Sequence, residues 1–233
     1  MSARENILAK LKKADALPME EPAVFDYYRE MGVSWDSEVE RLKHWAAAMR
    51  AVKTEIYWVS KTSWPQVFRQ AAEGKGLKNI LLPLATEHGQ IARAALVDSN
   101  IEPIAFEREI DTWKTEFFTN IDAGFSGSQC GIARTGTLML FSSPEEPRTL
   151  SLVPPVHFCL FDTAKMYNEF HNAVEGEKLV ENGMPTNVFL ISGPSKTADI
   201  QLTLAYGAHG PRDLVILAIL PDHLSPADLE ENA

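Results

Sequence analysis

Cysteine is scarce, with Cys130 and Cys159 the only two among 233 residues. Two cysteines so far apart predict neither a disulfide framework nor a Cys-x-x-Cys metal site. An iron-sulfur cluster held by this chain alone would need about four thiolates, so none is expected, and no metal or other cofactor is expected to be bound by this chain alone. Positive charge is also short: 22 Lys and Arg stand against 32 Asp and Glu, a formal net charge of -10. That is the reverse of the basic footprint that phosphate backbones and anionic membranes attract, so neither is an expected partner. No stretch approaches the ~20 apolar residues of a membrane span. The opening MSARENILAKLKKA alternates charged and apolar residues instead of holding a continuous apolar core, which argues against a secretory signal. A Walker lysine motif, a dinucleotide glycine fingerprint and a Gly-x-Ser-x-Gly elbow are all missing. A soluble, reduced, cytoplasmic protein is the expectation.

What is present is enough apolar material for a sizeable core, 45% of residues against 23% charged, in a length that suits one domain with an appendage. Ile7, Leu8 and Leu11 recur at three and four residues and predict a short amphipathic helix that Pro18 and Pro22 end. Residues 1–24 therefore read as a helical arm and linker, expected to dock on the body or on a second subunit, and 25–233 as the main domain. From Asp36 a helical face of Val39, Leu42, Trp45, Ala46 and Met49 is capped by Asp36 or Ser37. EIYWVS, NILLP and EPIAFE then read as strands, separated by SWPQVFRQAAE and ATEHGQIARAALVDSN as helices, with Pro65 in one first turn and Thr86 capping the other. Strands alternating with helices predict a parallel sheet. After Glu116, DAGFSG, TLMLFS and HFCLFD follow with only turns between them, which predicts mixed or antiparallel pairing. KMYNEFHNAVEGEKLV reads as a helix, VFLIS and DLVILAIL as strands, and a short helix is expected to follow SGPSKTADIQ.

Three turns carry the candidate chemistry. In SGPSKTADIQ, a strand ending at Ser192 and a helix starting near Thr197 would leave Gly193 and Pro194 to shape the link. The free amides of that helix start, with Ser195, Lys196 and Thr197, would suit a phosphate or carboxylate, unless Asp199 caps the helix itself. In YGAHGPRDL, Gly207, Gly210 and Pro211 make a second tight turn before the last strand. Facing the first turn across one cleft, His209 would serve as acid or base and Arg212 as a clamp on an oxyanion; alternatively His209 bonds a loop carbonyl and Arg212 a surface acid. In GIARTGTLML, Thr135, Gly136 and Thr137 turn the chain into an apolar strand, as ligand donors or simply as turn residues. His157 and Cys159 share one face of a predicted strand and read as core, while Glu87 and His88 read as helix-start capping.

GIARTGTLML and SGPSKTADIQLTLAYGAHGPRDLVILAIL together resemble the lactate utilization protein C family, whose members consist of a LUD domain. The resemblance runs through most of the chain and is sharpest in its last third. It implies an α/β fold, a three-layer sandwich around a mainly parallel mixed sheet, like that of the sugar-phosphate isomerase/CoA-transferase superfamily. It implies a part in oxidising L-lactate to pyruvate beside iron-sulfur and cysteine-rich lactate utilization subunits that carry the electrons. The alternative reading is an independent enzyme or binding module for a phosphorylated, CoA-like or carboxylate small molecule. Two residues depart from the family pattern, Arg134 where an acid is common and Gln201 where glutamate is usual. The candidate ligand-binding set is thus Thr135, Gly136 and Thr137, then Ser192, Gly193, Ser195, Lys196, Thr197, Asp199 and Gln201, then Gly210 and Arg212, with His209 and Lys196 as the catalytic candidates.

Overall fold

The computed structural model describes residues 2–14, 22–106, 110–198, 204–207 and 209–230. The chain divides into two compact units, 1–32 and 33–233. The first holds α1 (Ala3–Lys13) and α2 (Val24–Met31). At the start of α1, Ser2 and Glu5 form a reciprocal capping box, with Glu5 in the first turn and Lys10, Lys12 and Lys13 in the last. Each group thereby opposes the helix-end charge nearest to it.

The second unit opens with α3 (Glu38–Ala51), capped by the Ser37 hydroxyl, which accepts from the Glu40 amide at 3.2 Å. β1 (Glu55–Val59), α4 (Trp64–Gly74), β2 (Asn79–Leu82), α5 (Glu87–Ala95) and β3 (Glu102–Ala105) follow in the expected alternation. Thr86 caps α5 through the Gly89 amide at 3.1 Å. The next helix, α6 (Ile110–Asn120), has no counterpart in the sequence reading; its helical geometry breaks at Trp113, whose φ is -141°. Its amphipathic signal is blurred by that break, and only packing of Trp113 and Phe117 against Leu81, Ile121 and Leu150 makes it coherent.

β4 (Ala123–Gly127), β5 (Cys130–Ile132) and β6 (Thr137–Phe141) lead through α7 (Thr149–Leu152) to β7 (Val156–Asp162). A 3-10 turn, β8 (Met166–Tyr167) and α8 (Phe170–Gly176) come next, so the helix expected over 165–180 shrinks to its middle. β9 (Val188–Ile191), β10 (Lys196–Ala198), β11 (Leu204–Tyr206), β12 (Asp213–Ile219) and α9 (Pro226–Leu229) complete the unit.

The main sheet has six strands in the order β1-β12-β7-β4-β2-β3, and every pairing in it is parallel. The expectation of antiparallel or mixed pairing after Glu116 fails for DAGFSG and HFCLFD, which pair in parallel as β4 and β7. It holds for TLMLF, because β6 is antiparallel to both β5 and β9 in a second sheet ordered β8-β5-β6-β9. Strand direction here is a tertiary outcome, since both kinds of pairing accept the same apolar runs.

Alternation along β12 sorts the core into layers. Val215, Leu217 and Ile219 pack with Phe68 and Ala72 of α4 and Ala92 of α5. Leu214, Ile216 and Ala218 pack with Leu42, Trp45 and Met49 of α3 and with Leu138 of the second sheet. The result is the expected α/β fold, a mainly parallel sheet flanked by helices, with the second sheet set against one face. Among the described residues no helix is long and apolar enough to cross a membrane, and no group of three or more His, Cys, Asp or Glu is placed to hold a metal ion.

Candidate functional site

The helix expected to follow SGPS is absent from the described residues: Lys196–Ala198 form strand β10, paired antiparallel with Leu204–Tyr206. Gly193, at φ +132°, turns the chain after β9. Ser195 then donates its amide to the Pro211 carbonyl at 2.8 Å and accepts at its own carbonyl from the Gly207 amide at 3.0 Å. Those bonds carry the ladder from one turn into the other. Lys196 and Thr197 are therefore extended, and their amides are not gathered at a helix start to receive an anion.

The two turns nevertheless meet. The Ser195 hydroxyl accepts from the His209 amide at 3.3 Å, and a Cβ on Gly210 would stand 3.2 Å from the Ser195 Cβ. The third turn joins them through hydroxyls: Thr135 and Thr137 are 2.7 Å apart, and Thr137 and Ser192 are 2.7 Å apart. Trp45 of α3 fixes this chain by donating its indole N–H to the Thr137 carbonyl at 3.2 Å. Gly136, at φ +56°, lies where a Cβ would come within 2.5 Å of the Ala48 Cβ, so the turn presses on α3 as only glycine allows.

Between the turns and the amino ends of β7 and β12 lies a cavity of about 160 Å³. Leu152, Leu190 and Leu214 supply apolar wall, Ser192, Ser195 and His209 polar groups. His157 lines it too and has no exposed surface. Its Nε2 bonds the Ser126 hydroxyl at 2.8 Å, whereas its Nδ1 is buried with no hydrogen-bond partner among the described residues. Burial holds this imidazole at about 4, below its ordinary 6.5, against the opposing pull of the Glu146 charge. It is a neutral group with one unused nitrogen at the wall of a small cavity.

Of the residues singled out in the sequence, Ser192, Gly193, Ser195, His209 and Gly210 line this cavity. Gly136 and Thr137 reach it only through Ser192, and Thr135 is exposed. Lys196 and Arg212 are exposed and do not line it, and Arg212 stands 3.4 Å from Asp213. Asp199, Gln201 and the Thr197 side chain lie outside the described residues. Arg134, standing where an acid was expected, pairs with the buried carboxylate of Glu169. Both thiols are buried, and burial pushes each up to about 12, which keeps them protonated and unreactive.

A second constellation occupies the opposite, carboxyl ends of the parallel strands. His88 Nε2 lies 2.6 Å from Glu146 Oε1, which also accepts the Gly127 amide at 2.9 Å, beside a cavity of about 370 Å³. Burial opposes the Glu146 charge, but the His88 bond and charge with the Gly127 amide outweigh it and hold the carboxyl below its ordinary value. His88 therefore does more than cap a helix. Glu146 carried no sequence signal, because a charged residue in SSPEEP reads as solvated loop. His157 carried a faint one, a histidine inside the otherwise apolar run VHFCLF.

A parallel sheet with a second sheet against one face, and two glycine-proline turns over its amino edge, define an α/β domain with a small cavity beneath those turns. The sequence matches the LUD domain over residues 42–219, and the chain belongs to that family. It is 96% identical over its full length to an uncharacterized protein of Neisseria meningitidis serogroup B. It is 23% identical over 224 residues to the lactate utilization protein C of Oceanobacillus iheyensis, covering 91% of this chain and 93% of that one. The crystal structure of a DUF162 family protein from Deinococcus radiodurans is similar in fold, with TM-score 0.56, 19% identity, and coverage of 78% of this chain and 98% of that chain.

Proposed function

We propose that this protein serves lactate utilization, as a component of a system that oxidises L-lactate to pyruvate with iron-sulfur partner subunits. The LUD domain and the near full-length likeness to proteins named lactate utilization protein C support the process. The observation that carries a ligand-binding role for this chain is the cavity of about 160 Å³ walled by both signature turns. Its size, below the ~300 Å³ and upward of drug-sized sites, suits a molecule of a few carbons. His209 is the proposed acid or base in its lining, and Lys196, the other catalytic candidate, is exposed outside that lining. The phosphorylated or CoA-like alternative drew on a helix start that is now strand, and loses that support. With only two, buried, cysteines, the chain itself leaves electron carriage to partners.

The test is affinity purification of the tagged protein from lactate-grown native cells, with a visible spectrum and lactate-dependent dye reduction on the eluate. A brown, active eluate with two further subunits is the expected result. A colourless, solitary, inactive protein, with partners present in the lysate, would sink the complex. Full lactate-dependent activity in both Lys196→Ala and His209→Ala would remove their assigned roles.

A further inference from the structure

We propose that the cavity at the carboxyl ends of β4, β7 and β12 is a binding site for a small organic amine in its ammonium form, received by His88, Glu146 and Asp162. It lies at the end of the sheet opposite the two turns and does not depend on what the cavity beneath them holds.

Topology sets the place. β2 and β4 are neighbours in the sheet, yet the chain leaves β2 through α5 toward β3 on one side and leaves β4 toward β7 on the other. Where connections part in this way a crevice opens outside the carboxyl ends of the strands, the usual ligand site of an open parallel sheet. His88 stands in the first turn of α5, soon after β2, and Gly127 ends β4. A Cβ on Gly127 would lie 3.3 Å from His88 Cε1 and 3.7 Å from Glu146 Oε2, so the pair sits over that strand end. Ser143 ties down the loop that carries Glu146: its hydroxyl accepts the Glu146 amide at 3.0 Å, and its own amide donates to the Glu146 carbonyl at 3.2 Å.

The pair is open to a ligand. The His88 and Glu146 side chains are 27% and 20% exposed, and both line the cavity of about 370 Å³, a volume within the ~300–1,000 Å³ of small-molecule sites. Glu146 is held ionised, so it accepts from the His88 Nε2–H as it does from the Gly127 amide. In the neutral ring Nδ1 is then a lone-pair acceptor, and it makes no hydrogen bond among the described residues. Asp162 adds a second carboxylate, one oxygen of which accepts the Ala164 amide at 3.1 Å. Acceptors dominate what remains for a ligand, and acceptors call for a donor.

Charge narrows the donor. Among the described residues the lining holds Glu146 and Asp162 but no Lys or Arg, in a chain of formal net charge -10. An anion would be repelled there, and a neutral hydroxyl would leave the carboxylates unmatched. An ammonium group brings the opposite charge and up to three donors. Phe141, Leu160 and Ile219 complete the wall with apolar surface for the carbon skeleton. A bare metal ion fits less well, because no group of three or more His, Cys, Asp or Glu is placed to hold one among the described residues.

The test is titration of the full chain near pH 7.5 and physiological salt, followed by calorimetry and by amide NMR. An imidazole is ordinarily neutral there and an alkylamine is still charged. The probes are butylammonium, 2-phenylethylammonium, butan-1-ol and butyrate. Both ammonium ions should bind at one site and shift the Gly127 amide resonance, with the alcohol and the carboxylate weaker by about tenfold or more. Asp162→Asn and His88→Gln should each weaken the ammonium ions by about threefold or more. The Gly127 shift in the unmutated protein does not depend on a variant folding. Equal binding of butan-1-ol or butyrate would overturn the ammonium assignment. No binding of either ammonium ion, binding that leaves the Gly127 resonance unmoved, or affinity unchanged in both variants would overturn the site.

Discussion

Thr137 and Ser192 lie 55 residues apart in sequence and share a hydrogen bond of 2.7 Å. Antiparallel pairing of β6 with β9 brings them together: Leu138 is opposite Ile191, so the residues just outside that pair meet at the strand ends. The relationship joins the first signature stretch to the second and places both beside the cavity. Thr137→Val keeps the shape and removes the hydroxyl from a buried site. We expect a loss of about 1 kcal/mol in urea unfolding. Any effect on ligand binding should appear through Ser192, and Ser192→Ala should add little to the double variant, because both changes remove the same bond. Fully additive losses would show the pair to be independent.

Gly136 and Gly193 are expected to resist substitution for two reasons at once. Their φ values, +56° and +132°, disfavour a side chain, and an added Cβ would stand 2.5 Å from Ala48 in one case and 2.5 Å from Val52 in the other. Strain and overpacking together should make Gly136→Ala cost on the order of 3 kcal/mol. Gly183→Ala is the control, since its φ of +83° adds strain but nothing stands within 4 Å of its new Cβ. Thermal melting of the three variants should rank Gly183→Ala least affected.

Acid should weaken the fold in two stages. His157 stays neutral in the native state down to about 4, while an unfolded histidine protonates near 6.5. Between those values the unfolded state binds more protons, so stability falls as pH falls, by up to about 1.4 kcal/mol per unit. Glu146, held below its ordinary 4.5, adds stability that is present above that value and is lost as pH falls further. Urea titrations from pH 7 to 4 should therefore show a slope between pH 6.5 and 4.5 that His157→Gln flattens. Glu146→Gln should alter the profile below pH 4.5. An unchanged upper slope in His157→Gln would contradict the burial of a neutral ring.

Arg134 faces Glu169, whose side chain is only 6% exposed, with His171 Nδ1 3.3 Å from the other carboxylate oxygen. Arg134→Glu would set two carboxylates against one another at a partly desolvated site, so melting should drop by several degrees. A second change, Glu169→Gln, should recover much of that loss. An unchanged melting temperature in Arg134→Glu would show that the pair contributes nothing.

Much of the architecture was legible where short-range rules decide it. Ser37 and Thr86 cap their helices because a hydroxyl just before an amphipathic run has free amides to accept from. The alternation from β1 to β3 appeared as apolar runs punctuated by helical periods, and it needed no knowledge of what packs where. The meeting of the two glycine-proline turns was also anticipated, as a condition on the second turn lying close to the first. The segment after Pro194 was misread because Thr and Ser beside a lysine suit a helix start and a strand equally. Pairing with Leu204–Tyr206, through Ser195 and Gly207, decided between them.

The sequence by itself determined which segments are apolar, where they cap and turn, and that acidic residues outnumber basic ones 32 to 22 with only two cysteines. These are properties of composition and of neighbours within a few residues. Only the tertiary structure decided strand direction, the hydrogen bond between Ser126 and His157, the pairing of His88 with Glu146, and which signature residues line a cavity. Each of those depends on contacts between residues tens of positions apart, and on which groups burial leaves without a partner. Local preference carries no record of either.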